Sequence, residues 1–208
     1  MTNLQGNKKL GYVLLDLDST LISSIPSEEF NFDKEKDKAK NYTFHDMDGL
    51  YITFERPRLQ ELLTFLFQNF NVSVWTAGSK DYALFIVDKI ILQNKPERKL
   101  DYVFFSYHCD IASKIGKGTK DLAVLWNKYG LNEFCENNTV IIDDYVEEVH
   151  KVQPKNCIIA IPFEYTNKDS HKDDYFQKLI PHMKNLLENI NNKKSVMDMV
   201  PEINEKMK

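Results

Sequence analysis

The chain has 208 residues, 42% of them hydrophobic and 28% charged, with a formal net charge of -4. That length suits one domain, because single cores grow up to roughly 250–300 residues and a chain of this size buries about 70% of its unfolded surface. The charge excludes a broad basic field of the kind that holds nucleic acid, and no apolar run approaches the roughly 20 residues of a membrane span.

Met1 to Leu10 is polar and lacks the apolar core of a signal peptide. Tyr12-Val13-Leu14-Leu15 is a short continuous apolar run ending in Asp16-Leu17-Asp18, which suits a strand buried on both faces of a parallel sheet. The polar stretch from Ser23 to Asn41 carries the charge run Asp33 to Lys38 and reads as a solvated loop. Tyr42-Thr43-Phe44 and Leu50 to Phe54, separated by Asp48-Gly49, read as a β-hairpin. Pro57 is expected to open a helix whose apolar face is Leu59, Leu62, Leu63, Leu66, Phe67 and Phe70.

Val72 to Thr76 reads as a strand, with Ser79 capping a helix that runs toward Leu92. Tyr102 to Phe105 is a further strand, and the loop Lys114 to Gly118 leads into a helix expected over 119–129 and stopped by Gly130. Thr139 to Ile142 is a strand ending in Asp143-Asp144, and Cys157 to Ile161 is another, ended by Pro162. A helix is expected over 173–189, and the Asn- and Lys-rich tail after Asn191 is expected to fray. Alternating strands and helices predict an α/β fold, a Rossmann-like parallel sheet with helices on both faces. The expected organisation is a single domain over 1–192, with an insertion at about 23–55 and a polar tail over 193–208.

Cys109, Cys135 and Cys157 are far apart and odd in number, and there is no Cys-x-x-Cys pair. They read as free or buried thiols of a reducing compartment, nuclear or cytoplasmic, and not as a disulfide framework or a zinc site. His108-Cys109-Asp110 lacks a partner pair at ligand spacing.

Ligands of parallel α/β sheets bind outside the carboxyl ends of the strands. Here those ends carry Asp16-x-Asp18-x-Thr20, Thr76 and Asp143-Asp144, while Lys120 opens a helix after a Gly-containing loop. Each alone has an ordinary reading: turn chemistry for the Asp pair, a cap for Thr76, a solvated charge for Lys120. Together they gather carboxylates whose mutual repulsion calls for a hard divalent cation, and all-oxygen ligands suit Mg2+.

Asp16-Leu17-Asp18-Ser19-Thr20-Leu21 resembles the nucleophile motif of the haloacid dehalogenase superfamily. More narrowly, the chain resembles the small phosphatases that act on the C-terminal domain of RNA polymerase II. The matching segments are Glu55-Arg56-Pro57, Val74 to Gly78 followed by Tyr82-Ala83, Lys120-Asp121-Leu122 and Ile141 to Asp144. The resemblance implies Asp16 as nucleophile, Asp18 as general acid and base, and Thr76 and Lys120 as phosphoryl ligands. Asp16, the backbone carbonyl of Asp18, and Asp144 or Asp143 would hold magnesium, with Thr20, Ala77 and Gly78 near the substrate. It implies a magnesium-dependent phosphatase working through an aspartyl-phosphate on phosphoserine or phosphothreonine in protein. Two departures bear on substrate: Ser106-Tyr107-His108 stands where many members carry an arginine, and the loop before Lys120 is longer. A phosphatase of small molecules or nucleic-acid ends, and a noncatalytic domain of the same fold, are the alternatives; loss of the acid pair would mark the latter. Phe30, Phe32, Phe44, Tyr51 and Phe54 suit either a peptide groove or a small core under the hairpin.

Overall fold

In the computed structural model, which describes residues 9–208, the first apolar run is β1 (Tyr12–Leu15). Most of the polar N-terminal stretch lies outside the described residues. Tyr12 and Leu14 belong to one apolar cluster and Val13 and Leu15 to another, so β1 is covered on both faces. β2 (Ile22–Pro26), α1 (Phe32–Ala39), β3 (Phe44–Asp46) and β4 (Tyr51–Glu55) follow. The expected hairpin is β3 with β4, and β2 adds a third antiparallel strand on the other side of β4.

The charge run expected as a loop is helix α1. The Asn31 side chain accepts from the Lys34 N–H, Asp33 and Glu35 sit in the first turn, and Lys36 and Lys38 sit in the last. That order of charges opposes the helix dipole at both ends, which favours the helix. Beneath it, Phe30, Phe54 and Tyr165 form a small core in which Phe54 stacks on Tyr165 at 3.7 Å. Phe32, Phe44 and Tyr51 stay exposed, so the aromatics of the insertion divide between core and surface.

Helix α2 (Leu59–Asn69) begins two residues beyond Pro57, because Arg58 takes a left-handed φ of 66° at its N-cap. Then come β5 (Asn71–Trp75) and α3 (Lys80–Ile86), which continues as a π-helical segment to Leu92. β6 (Leu100–Phe104) is followed by α4 (Ser106–Ile115), a helix the sequence reading left out. The helix expected over 119–129 is reduced to α5 (Ala123–Asn127). Asp121 holds the preceding residues in a turn instead, accepting from the N–H groups of Lys117 and Ala123. β7 (Thr139–Asp143), β8 (Cys157–Ile159), α6 (Tyr175–Asn191) and α7 (Val196–Lys206) complete the chain.

The main sheet is wholly parallel, in the order β6-β5-β1-β7-β8. Helices α2, α3, α6 and α7 cover the face that carries Val13, Leu15, Val74 and Ile142; α4 and α5 cover the face that carries Leu14, Trp75 and Ile141. The strand order reverses beside β1, so the ends of β1, β5 and β7 open on one crevice.

The tail expected to fray is instead α7. Val196, Val200, Ile203 and Met207 recur at helical spacing and are buried in the main core. Asn204 turns its amide onto the edge strand, accepting from Ile159 N–H and donating to the Cys157 carbonyl, both at 2.9 Å. Among the described residues no helix is long and apolar enough to cross a membrane.

Candidate active site

β1 delivers Asp16 to the crevice, and the chain then turns sharply. Ser19 adopts a positive φ of 57° and the N–H groups of Thr20, Leu21 and Ile22 all point at the Leu17 carbonyl. Arg56 clamps this turn from behind. It is buried, donates to the Thr20 carbonyl at 3.0 Å, and makes a two-pronged pair with Asp173 at 2.8 Å. Its guanidinium lies over the Tyr175 ring at 4.4 Å. Glu164 holds the other side of the turn by accepting from the Ser19 hydroxyl at 2.6 Å.

Lys120 reaches the carboxylates from its turn before α5. Its ammonium bonds Asp16 Oδ1 at 2.5 Å and Asp143 Oδ2 at 2.7 Å, and all three groups are buried. Burial works against the Lys120 charge, but Asp16 and Asp143 outweigh it and hold its pKa above the usual range. Asp143 is pushed up, first by burial and then by the Asp16 charge, with Lys120 offsetting only part. Asp144 is raised by the same two causes in the same order. One ammonium therefore bonds two of these three carboxylates.

Oxygens of Asp16, Asp143 and Asp144 all lie within 4.8 Å of one another. This donor set, hard oxygens with surplus negative charge, fits a hard divalent cation such as Mg2+. Thr20 was expected among the substrate contacts. Its hydroxyl is fully buried instead, 3.1 Å from both Asp16 Oδ2 and Asp144 Oδ1, and it accepts from the Asp144 N–H. The tight turn drives its side chain inward, where it orders the acids.

Asp18 points elsewhere. Its Oδ1 accepts from the Tyr82 hydroxyl of α3. Burial raises its pKa to about 6, against the Tyr82 hydrogen bond and with the help of the Asp16 charge. Thr76 follows β5; its hydroxyl accepts from Gly78 N–H at 3.0 Å and makes no bond to the carboxylates. Ala77 is exposed and Gly78 half-buried on the rim of the crevice. His108 caps its own helix, its Nδ1 accepting from Phe105 N–H at 3.1 Å.

Sequence reasoning missed the contributions of Tyr82, Ser24 and Glu164. Tyr82 stands in the Tyr82-Ala83 segment that carries part of the resemblance, but nothing in its spacing signals a bond to Asp18, 64 residues away.

A model of the NLI interacting factor-like phosphatases matches residues 12–196. The CTD phosphatase-like protein 355R of Invertebrate iridescent virus 6 is 41% identical over 171 residues, spanning 80% of this chain and 93% of its own length. Its counterpart in Invertebrate iridescent virus 3 is 37% identical over 179 residues, spanning 83% and 95%. Among solved structures, that of Fcp1, an essential RNA polymerase II CTD phosphatase, matches with a TM-score of 0.59 at 15% identity, over 93% of this chain and 70% of that one. This last likeness is one of fold.

Proposed function

Since this chain belongs to the NLI interacting factor-like phosphatase family, we propose that it hydrolyses phosphate monoesters with Asp16 as nucleophile, using magnesium. The observation that carries this reading is the meeting of Asp16, Asp143 and Asp144, two of which share the ammonium of Lys120. Asp16, Asp144 and the backbone carbonyl of Asp18 would hold the ion, with Asp143 supporting. When bound, the ion supplies positive charge that lets an anionic nucleophile approach an anionic phosphate.

An Asp16 carboxylate oxygen forms a bond to phosphorus as the ester P–O bond breaks, giving an aspartyl-phosphate. Asp18 gives its proton to the departing alkoxide, then takes one from the water that hydrolyses the intermediate. Lys120 has three N–H donors and spends two on carboxylates, so the third is free for a phosphoryl oxygen. Thr76 accepts from Gly78, leaving its own O–H to donate to another.

The substrate we propose is phosphoserine or phosphothreonine in protein, of the kind found in the RNA polymerase II C-terminal domain, and the site of action nuclear or cytoplasmic. Exposed Tyr51, whose ring packs against Tyr82 at 5.6 Å, offers apolar surface near Asp18 and supports a peptide substrate. Direct binding of nucleic acid is not part of this reading.

Release of phosphate from an aryl phosphate, with and without Mg2+, tests the chemistry. Asp16→Asn is expected to abolish turnover while keeping the fold, and beryllium fluoride is expected to bind the wild type at Asp16. Substantial turnover by a folded Asp16→Asn protein would sink the mechanism. A panel of Ser-Pro phosphopeptides and nucleotides then tests the substrate, and a preference for nucleotides would overturn the peptide reading.

A further inference from the structure

The Tyr82 hydroxyl that bonds Asp18 is itself held. It lies 2.5 Å from the Ser24 hydroxyl on β2, and Ser24 lies 2.9 Å from the Thr53 hydroxyl on β4. Ser24 and Thr53 face each other directly in the antiparallel register of the insertion sheet. With Asp18 ionised, one assignment gives every hydroxyl proton an acceptor: Thr53 donates to Ser24, Ser24 to Tyr82, and Tyr82 to Asp18 Oδ1. The chain is largely shut from water, since Thr53 is fully buried and Tyr82 nearly so. Gly78 leaves the room it needs: a Cβ there would stand 2.7 Å from Tyr82 Cδ1.

We propose that Tyr82, backed by Ser24 and Thr53, is a positioning residue that fixes which oxygen of Asp18 carries the transferable proton. Tyr82 fills the lone pair of Oδ1, so the proton of the acid form goes to Oδ2, which no other side chain bonds among the described residues. That proton passes to the leaving alkoxide oxygen as its bond to phosphorus breaks and the Asp16–phosphorus bond forms. Without Tyr82 the carboxyl turns freely, and the proton is presented on either oxygen and in several directions. The insertion sheet thereby does more than wall the crevice: the β2–β4 pairing sets the aim of the acid. The inference rests on the phosphatase reading above.

The test compares kcat/KM for a phosphoserine peptide and for 4-nitrophenyl phosphate, whose leaving group departs without a proton. Tyr82→Phe is expected to lower the peptide value about tenfold or more and the aryl value less than about threefold, since general acid catalysis supplies roughly 10²–10⁴ where a proton is needed. Ser24→Ala, which keeps the Tyr82 ring and hydroxyl, is expected to give a smaller loss with the same leaving-group dependence. It also carries the test if Tyr82→Phe does not fold. The double variant is expected to be no worse than Tyr82→Phe alone, as for residues acting in series. Equal losses on both esters, or losses that multiply in the double variant, overturn the inference while leaving the phosphatase reading intact. A wild-type protein silent on both esters overturns the two together.

Discussion

Asp16 and Asp18 are two residues apart and chemically identical, yet their surroundings divide them. Asp16 is gripped by the Lys120 ammonium and the Thr20 hydroxyl. Asp18 has a phenol for its partner, and burial lifts it to about 6. The sign of the pH dependence follows. A general acid with a pKa near 6 is mostly protonated below that value and loses its proton above it. Turnover of alkyl esters is therefore expected to fall about tenfold per pH unit well above pH 6, and that of aryl esters much less. Asp18→Asn is expected to flatten the alkyl profile at a low rate. Single-turnover rates on both ester types over pH 4.5–8 check this; a flat wild-type profile on phosphoserine would show that Asp18 orders the site without donating a proton.

The elements show where the sequence speaks and where it is silent. Helix α7 hides among asparagines and lysines, yet Val200 is fully buried and Asn204 closes the open edge of β8. Val200→Asp is expected to destabilise the protein by about 3 kcal/mol or more, because it loses apolar burial and forces a charge into the core. Asn204→Ala is expected to cost about 1–3 kcal/mol, by leaving the Ile159 N–H and Cys157 carbonyl without partners. Urea melts of both variants measure this, and unchanged midpoints would mean that α7 is dispensable. The strands β1, β7 and β8 were legible as apolar runs and β5 as a Val- and Trp-bearing run broken only by Ser73, and the acids after β1 and at the end of β7 fell into place with them. Helices α1 and α7 were not, because strong charge or polarity masked, in α7, a narrow apolar stripe and, in α1, charges ordered to suit the helix dipole. Of the site, the carboxylates were readable at strand ends and Lys120 as the basic residue after a Gly-containing loop. The inward turn of Thr20 and the bond from Tyr82 to Asp18 depend on backbone turns and on pairings distant in sequence, which no local pattern encodes.

At the scale of the whole molecule, a net charge of -4 spread over 208 residues is mild, but four carboxylates of Asp16, Asp18, Asp143 and Asp144 crowd one crevice with one ammonium. Asp18, Asp143 and Asp144 all have folded pKa values raised above their unfolded ones, with burial the first cause. Between about pH 4 and the raised values the folded state binds more protons than the unfolded, so these groups favour folding at low pH and lose that contribution as pH rises. The exposed pairs of Asp37, Asp169 and Glu202 have lowered values, so their contribution is lost only in acid, below this window. Burial lowers His108 and His150, and their contribution runs the other way, growing as pH rises. The histidines stand apart from the carboxylate cluster, so what separates the two effects is a cation. Mg2+ bound by the folded state alone stabilises it by about 2.7 kcal/mol at a hundred times its Kd. For a protein of this size that is a rise in Tm of about 5–10 °C. Mg2+ is expected to raise Tm strongly at pH 7.5, where the carboxylates are ionised, and weakly at pH 5, where protons compete for the same oxygens. Asp144→Asn is expected to raise the Tm of the cation-free protein at pH 7.5 and to shrink the response to Mg2+. Thermal melts at the two pH values, with Mg2+ or with EDTA, make the comparison, and an equal response at both would place the cation away from these carboxylates.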